Sequence, residues 1–385
     1  MIKANHIFKW LVFLLSTTSI LLLASYYPYL QDRFSGLQAA PLAGAFTVSE
    51  RPKLSISNWL RGDFQADYTR AIKENPDIRP FFVRLKNEAL LQLFGTESHP
   101  VLQIGKDGYL FDKTYIYASL GLDYKGDAYI AEQAKRLQEL HHYLQEKNKT
   151  LLMLMPPSKA AHIPEKLPRA YRSFKPKTTN RQALAQALKQ QGVPYIDFSY
   201  LRERELSSGL RMYPATGLHW SHYGATLAAD SLAHRIEKLL NIQLPDLQID
   251  SLLLTNELRS PDNEFGELLN LYTPYVYDTM AYPILSYDTD SNTYKPKVLI
   301  VGDSYYRLMY DMKFQEHLFD PASQYWHYFE KYIAPNHTSG VAVDKNKGHL
   351  QELIEQMDVV LYVVSATNVH RIGFGFTEAV LGSGN

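Results

Sequence analysis

Apolar positions along this chain follow three rhythms. The first is unbroken: residues 10–31 carry no charge and contain the runs Trp10–Leu15 and Ile20–Ala24. At about 1.5 Å of rise per residue, 22 such positions cross a hydrocarbon core of roughly 30 Å. Lys3 and Lys9 precede the run, while Asp32 and Arg33 follow it. Positive charge on the near side predicts residues 1–9 as a cytoplasmic tip, 10–31 as a single transmembrane signal anchor, and the rest as extracytoplasmic, periplasmic or extracellular. A cleaved signal peptide is the alternative, and the bulky cluster Tyr26, Tyr27 and Tyr29 where cleavage would fall argues against it.

The second rhythm has apolar residues three or four apart, and it predicts helices near 80–94, 129–147, 178–191 and 223–240. The third consists of short apolar runs at 151–155, 193–198, 297–301 and 358–364, which read as buried strands. Two further apolar pieces, 101–104 and 109–111, flank a Gly-Lys-Asp-Gly turn and predict a hairpin. Strands alternating with amphipathic helices imply an α/β fold, a three-layer α/β/α domain with a mostly parallel sheet covered on both faces. Residues 32–95 read as a stem and helical lead-in and 96–385 as the domain. A loop-rich, tyrosine-rich insertion is expected at about 246–296.

Composition narrows the function. The 385 residues include 40 Lys or Arg and 40 Asp or Glu, so the formal charge is zero, which argues against a nucleic-acid binder. No cysteine is present, which excludes disulfides, thiolate metal sites and thiol nucleophiles. No metal or organic cofactor is implied.

Two segments carry candidate chemistry. Gly302-Asp303-Ser304 ends the strand at 297–301 just before a helix start, the place where open α/β sheets present reactive groups. Helix N-caps also favour Asp and Ser, so the tripeptide alone has a structural reading. The second segment, Thr216 to Ala225, contains His219-Trp220 in a loop before the helix near 223–240. A serine nucleophile needs a base, and a loop histidine at the sheet edge supplies one. His219 and His222 also read as a metal pair, but no carboxylate follows at a useful spacing before Asp230.

His-Trp ahead of a Gly-Ala helix start, with Gly-Asp-Ser later in the chain, resembles the SGNH hydrolase-like domain of the alginate O-acetyltransferase (AlgJ/AlgX-like) family. Gly105 to Phe111, Pro156 to Ala160, Pro164 to Pro168, Val193 to Phe198 and Gly266 to Leu269 match that pattern in order. The resemblance covers most of residues 55–370. It implies a flavodoxin-like SGNH domain that O-acetylates an exported or cell-surface polysaccharide, with acetyl groups supplied by a membrane-bound acyltransferase of the MBOAT type. Ser304 would be the nucleophile and His219 the general base. The family's orienting aspartate stands two residues before the histidine, where this chain has Gly217.

That departure leaves three outcomes open. A Ser-His dyad operates alone; Asp303 or Asp197 orients the imidazole instead; or catalysis is lost and the domain binds glycan or scaffolds an acetylation complex. A carbohydrate O-acetyl esterase is the remaining alternative. The SGNH group uses an oxyanion-hole asparagine, and Asn368 after the strand at 358–364 is a candidate for that role. Tyr305 flanks the nucleophile and is expected either to line the pocket or to pack. Of 28 tyrosines, six fall between Tyr272 and Tyr294, and Tyr275 and Tyr277 among them are candidates for a glycan groove.

Overall fold

The computed structural model describes residues 41–44, 53, 55–73, 79–97, 99–275, 279–333 and 340–382, together with residues 15, 18, 19 and 26. But for those last four, the span expected at 10–31 lies outside the described residues. Among the described residues no helix is long and apolar enough to cross a membrane. The chain divides into two compact units, one of Met1–His99 with Gly266–Tyr275, the other of Pro100–Phe265 with Val276–Asn385.

In the first unit the helix Ile56–Arg61 begins where the Ser55 side chain accepts from the Asn58 N–H, and it ends at Gly62 in the left-handed region. The helix Arg79–Phe94 matches the period expected at 80–94. Its Asn87 amide donates to the Leu269 carbonyl (2.8 Å) and its Arg84 guanidinium to the Leu271 carbonyl (2.6 Å). Those bonds tie residues 266–275 into this unit.

The second unit is built on eleven strands among the described residues: β1 (Leu102–Ile104), β2 (Leu110–Asp112), β3 (Thr150–Met155), β4 (Tyr195–Asp197), β5 (Asp246–Thr255), β6 (Met280–Asp288), β7 (Val298–Gly302), β8 (Gln324–His327), β9 (Lys331–Ile333), β10 (Val341–Ala342) and β11 (Val359–Val363). Strands β1 and β2 form the expected hairpin. Seven others make one sheet in the order β10-β9-β8-β7-β11-β3-β4. Five of them, from β8 to β4, run parallel, but β9 and β10 add antiparallel at one edge, so the sheet is mixed. Parallel pairing therefore runs from β8 to the edge strand β4, and only the opposite edge is antiparallel.

Strands β7 and β11 are buried along their whole length, and β3 along all but its first residue, which is why they appear in sequence as continuous apolar runs. One face packs against the helices His222–Leu240 and Tyr305–Asp311 through Ala225, Leu232, Ile236 and Leu308. The other packs against Asp127–Gln145, Asn180–Gln191 and Lys347–Gln356 through Leu137, Leu184 and Leu350. Each buried leucine or isoleucine contributes roughly 1.5–3 kcal/mol, and the two cores fix a three-layer sandwich.

The tyrosine-rich stretch differs from the expected loop. Strands β5 and β6 pair as a long antiparallel ribbon with a register shift between Ile249 and Ser251. Pro283 lies within β6 opposite Leu252, a position open to proline because each strand of a two-stranded ribbon keeps an unpaired edge.

The sheet order creates the site. From β3 the chain moves outward to β4, and from β7 it moves outward to β8 on the opposite side, with β11 inserted between β3 and β7. Loops leaving the carboxyl ends of β7 and β11 therefore face a crevice at a topological switch point.

Candidate active site

Ser304 follows β7 and precedes the helix Tyr305–Asp311. It occupies the N-cap position, yet its backbone is already helical (φ −62°, ψ −16°) and its side chain caps nothing. The hydroxyl is therefore available, and it lies 2.9 Å from Nε2 of His219. Strand β7 approaches β11 closely here, since a Cβ at Gly302 would stand 2.9 Å from the Val363 Cβ.

His219 sits on a heavily tied loop. Trp220 beside it is fully buried and packs edge-on against Tyr305 and Phe198 at centroid distances of 5.5 and 5.7 Å. The Ser221 N–H donates to the Met212 carbonyl (2.8 Å), and the Ser221 hydroxyl accepts from the Gly224 N–H (3.0 Å), starting the helix His222–Leu240. Lys159, buried after β3, donates to the carbonyls of Pro214, Ala215 and Gly217. Its ammonium also lies over the rings of Phe111 and Phe265, 5.2 and 5.6 Å from their centroids. Lysine is therefore buried here as a staple for the histidine loop.

The other imidazole nitrogen has a partner that sequence reasoning missed. Nδ1 of His219 lies 2.9 Å from Oε1 of Glu264, which also accepts from the Leu218 N–H at 2.8 Å. The segment around Glu264 interlaces with the histidine loop: the Phe265 N–H donates to the Thr216 carbonyl (2.9 Å), and the Thr216 hydroxyl donates to the Asp262 carbonyl (3.1 Å). Burial works to raise the Glu264 carboxyl, but the hydrogen bond and charge of His219 and the backbone donors outweigh it, leaving the pKa lowered. The carboxylate thus stays ionised against the imidazole.

Gly217 explains why the carboxylate comes from elsewhere. A Cβ built there would stand 2.6 Å from the Pro214 Cγ and 2.9 Å from the Asp262 carbonyl oxygen. The chain carrying Glu264 occupies the space a side chain at 217 would need. The one signal in sequence was this missing side chain together with the carboxylates Glu257, Asp262, Glu264 and Glu267 downstream.

The remaining sequence candidates are placed as follows. Asp303 is fully buried, and its carboxylate is taken by the N–H groups of Tyr305 (3.1 Å) and Ser365 (2.7 Å) and the amide of Asn368 (2.8 Å). It locks the β7 and β11 turns together and does not orient His219. Asn368 gives its amide to Asp303 and to the Ser365 hydroxyl (3.2 Å) and accepts from Arg371 (3.0 Å), so it is a strut and has no donor left for an oxyanion. Asp197 binds Arg181 and accepts from the Ser199 N–H at the end of β4, with no contact to the imidazole. Tyr305 packs: it is fully buried, 5.0 Å from the His219 ring, and its phenol is held well above its ordinary pKa, by burial first. Tyr275 belongs to the first unit, and Tyr277 lies outside the described residues. His222 pairs not with His219's carboxylate but with Asp262 (3.3 Å).

Residues 102–327 match the family model ALGX, described as the SGNH hydrolase-like domain of acetyltransferase AlgX. Similar solved structures include the O-acetyltransferase domain of Pseudomonas putida AlgJ, at 18% identity and TM-score 0.44 over 71% of this chain and 93% of that one. Pseudomonas aeruginosa AlgX is 17% identical, with TM-score 0.45 over 72% and 67% of the two chains. Bacillus cereus PatB1 is 14% identical, with TM-score 0.43 over 72% and 99%. No curated protein matches by sequence. The family model spans more than half of the 385 residues and contains His219, Glu264 and Ser304, so the chain belongs to the ALGX family of SGNH hydrolase-like acetyltransferase domains.

Proposed function

We propose that this protein is an O-acetyltransferase that passes an acetyl group through Ser304 to a hydroxyl of an exported or cell-surface polysaccharide. The observation that carries the reading is the Glu264–His219–Ser304 relay, with 2.9 Å at each step, in a domain of this family. His219 Nε2 takes the proton as Ser304 Oγ attacks the acetyl carbonyl, and the tetrahedral oxyanion forms beside the first turn of the helix Tyr305–Asp311. The imidazolium, held in its tautomer by Glu264, then protonates the leaving oxygen of the donor, and acetyl-Ser304 remains. In the second half a sugar hydroxyl gives its proton to His219 and attacks the acetyl carbon, and the serine is regenerated with that proton. Glu264 keeps its charge throughout.

Glu264 also weighs against a purely scaffolding role, because that reading rested on the missing carboxylate at 217. The setting we infer is outside the cytoplasm, with residues 10–31 as the anchor and a membrane-bound MBOAT-type acyltransferase as acetyl donor. Incubation with 4-nitrophenyl acetate tests the chemistry: Ser304 becomes acetylated, as read by peptide mass spectrometry, and an added oligosaccharide takes up the acetyl group. Turnover that is the same in Ser304→Ala would remove the proposal.

A further inference from the structure

Strand β8 ends beside the nucleophile. His327 pairs with Gly302 in the sheet register, and the Tyr328 N–H donates to the Gly302 carbonyl at 2.8 Å. Neighbouring strands lie about 4.8 Å apart, so the backbone of Tyr328 stands one strand spacing from the turn that carries Ser304. Tyr328 has φ +55°, in the left-handed region that bulky aromatic residues rarely occupy, and so do Phe329 (+55°) and Phe374 (+54°). Three aromatic residues are thus held against their backbone preference at the carboxyl edge of the sheet. Phe329 is buried and fills the core beneath.

Tyr328 and Phe374 instead remain partly exposed, set edge to face at 5.1 Å and 85°. The exposed Arg371 lies across both, 5.2 Å from one ring centroid and 5.5 Å from the other. Arg371 in turn donates to Asn368, a residue on the wall of an open cavity of about 370 Å³. That size falls within the roughly 300–1,000 Å³ of small-molecule sites. Tyr117, Asp123, Lys125, Thr367 and His370 add hydrogen-bonding groups of both polarities to the same wall. Oδ1 of Asp123 is buried and has no hydrogen-bond partner, and burial raises the carboxyl's pKa.

We propose that Tyr328, Phe374 and Arg371, together with this cavity, form an acceptor subsite that holds sugar units of the polysaccharide adjoining the one delivered to Ser304. Aromatic faces meet the C–H faces of a sugar ring, the Asp123 and Lys125 side chains hydrogen-bond hydroxyls at the cavity wall, and Arg371 donates to a hydroxyl or a uronate carboxylate. The subsite rests on the reading that the acceptor is a polysaccharide. It assigns the left-handed backbone at Tyr328 to function.

Calorimetric titration of the full chain with oligomannuronate and with cellohexaose tests it, and needs no acyl transfer. Saturable binding of at least one of them is expected, weakened about tenfold or more in Tyr328→Gly and in Arg371→Ala. Glycine accepts the left-handed backbone without strain, so Tyr328→Gly retains a cooperative melt while losing the ring. If that variant fails to fold, Arg371→Ala decides, since its side chain is exposed. Absence of saturable binding by the parent, or binding by both folded variants as tight as the parent's, overturns the subsite. Acyl transfer is read separately from Ser304-dependent ester cleavage, so either result can fail while the other stands.

Discussion

Two histidine–glutamate pairs in the second unit are built almost alike. His219 meets Glu264 at 2.9 Å and His162 meets Glu205 at 2.9 Å. Each carboxylate also accepts a backbone N–H at 2.8 Å, from Leu218 in one case and Met212 in the other. In each, burial pushes the carboxyl up and the histidine's hydrogen bond leads the forces that pull it lower, to a net depression. The difference is what surrounds the ring. His162 is sealed, its side chain 1% exposed and packed 4.9 Å from the ring of Tyr213, with Glu205 further tied to Arg202. His219 is 12% exposed and presents its second nitrogen to a serine hydroxyl that caps nothing. The same histidine–glutamate contact is sealed in one place and opens onto a serine hydroxyl in the other, and the deciding feature is the third group and its access.

The largest break in this comparison removes that third group. Ser304→Ala should lower kcat/KM for 4-nitrophenyl acetate by about 10⁴-fold or more while the melting temperature holds, since the hydroxyl makes no capping bond. A residual rate above one-tenth of the parent's would mean that another group attacks.

Next in size is the orienting carboxylate. Glu264→Gln keeps the shape but offers the wrong partner for the imidazolium, and a loss of about 10²–10⁴-fold in kcat is expected with a smaller change in KM. Restoring an aspartate at the family position should not rescue it: Gly217→Asp drives a Cβ into the Asp262 carbonyl and the Pro214 ring, costing roughly 1–3 kcal/mol. Rescue by that second change would show that the 259–265 segment is not what orients His219.

Lys159→Met is expected to act through the loop. Removing the ammonium leaves the carbonyls of Pro214, Ala215 and Gly217 without their shared donor, at about 1.5–3 kcal/mol of stability. Activity should fall through kcat, and lowering the temperature should recover part of it as the loop reorders. A stability loss with kcat unchanged would make Lys159 a staple with no bearing on His219.

Much of this was legible in sequence, for physical reasons that differ by element. Strands β3, β7 and β11 are buried on both faces, so their residues must be continuously apolar, and their expected bounds differ from the observed by a residue. Ser304 and His219 stood out because a strand end and a helix start are where backbone geometry exposes side chains. Glu264 did not, because it reaches His219 from 45 residues away through a contact only tertiary packing creates. The burial of Lys159 is likewise a tertiary effect: only the carbonyls and rings around its ammonium explain it. The ribbon of β5 and β6 was hidden by Pro283 and a register shift, both tolerated where an edge stays unpaired.

The smallest effect separates the two pairs by pH. Glu205 has a folded pKa below the ordinary glutamate value of 4.5. A carboxyl depressed on folding binds fewer protons in the native than in the unfolded state, so its contribution is present above the unfolded value and lost as pH falls through the folded one. Glu205→Gln leaves the backbone donor of Met212 and the buried His162 with a weaker partner, and should cost about 1–3 kcal/mol near neutrality. At about 2–4 °C per kcal/mol this is measurable by calorimetry. The gap between variant and parent should narrow from about pH 5 downward, because the parent is losing what the variant never had. Ester cleavage should stay near the parent's rate at neutral pH, as Glu205 touches neither His219 nor Ser304. A melting-temperature gap that stays constant down to about pH 3 would mean that Glu205 acts by shape and not by charge. Loss of cleavage would mean that the sealed pair and the open one are coupled.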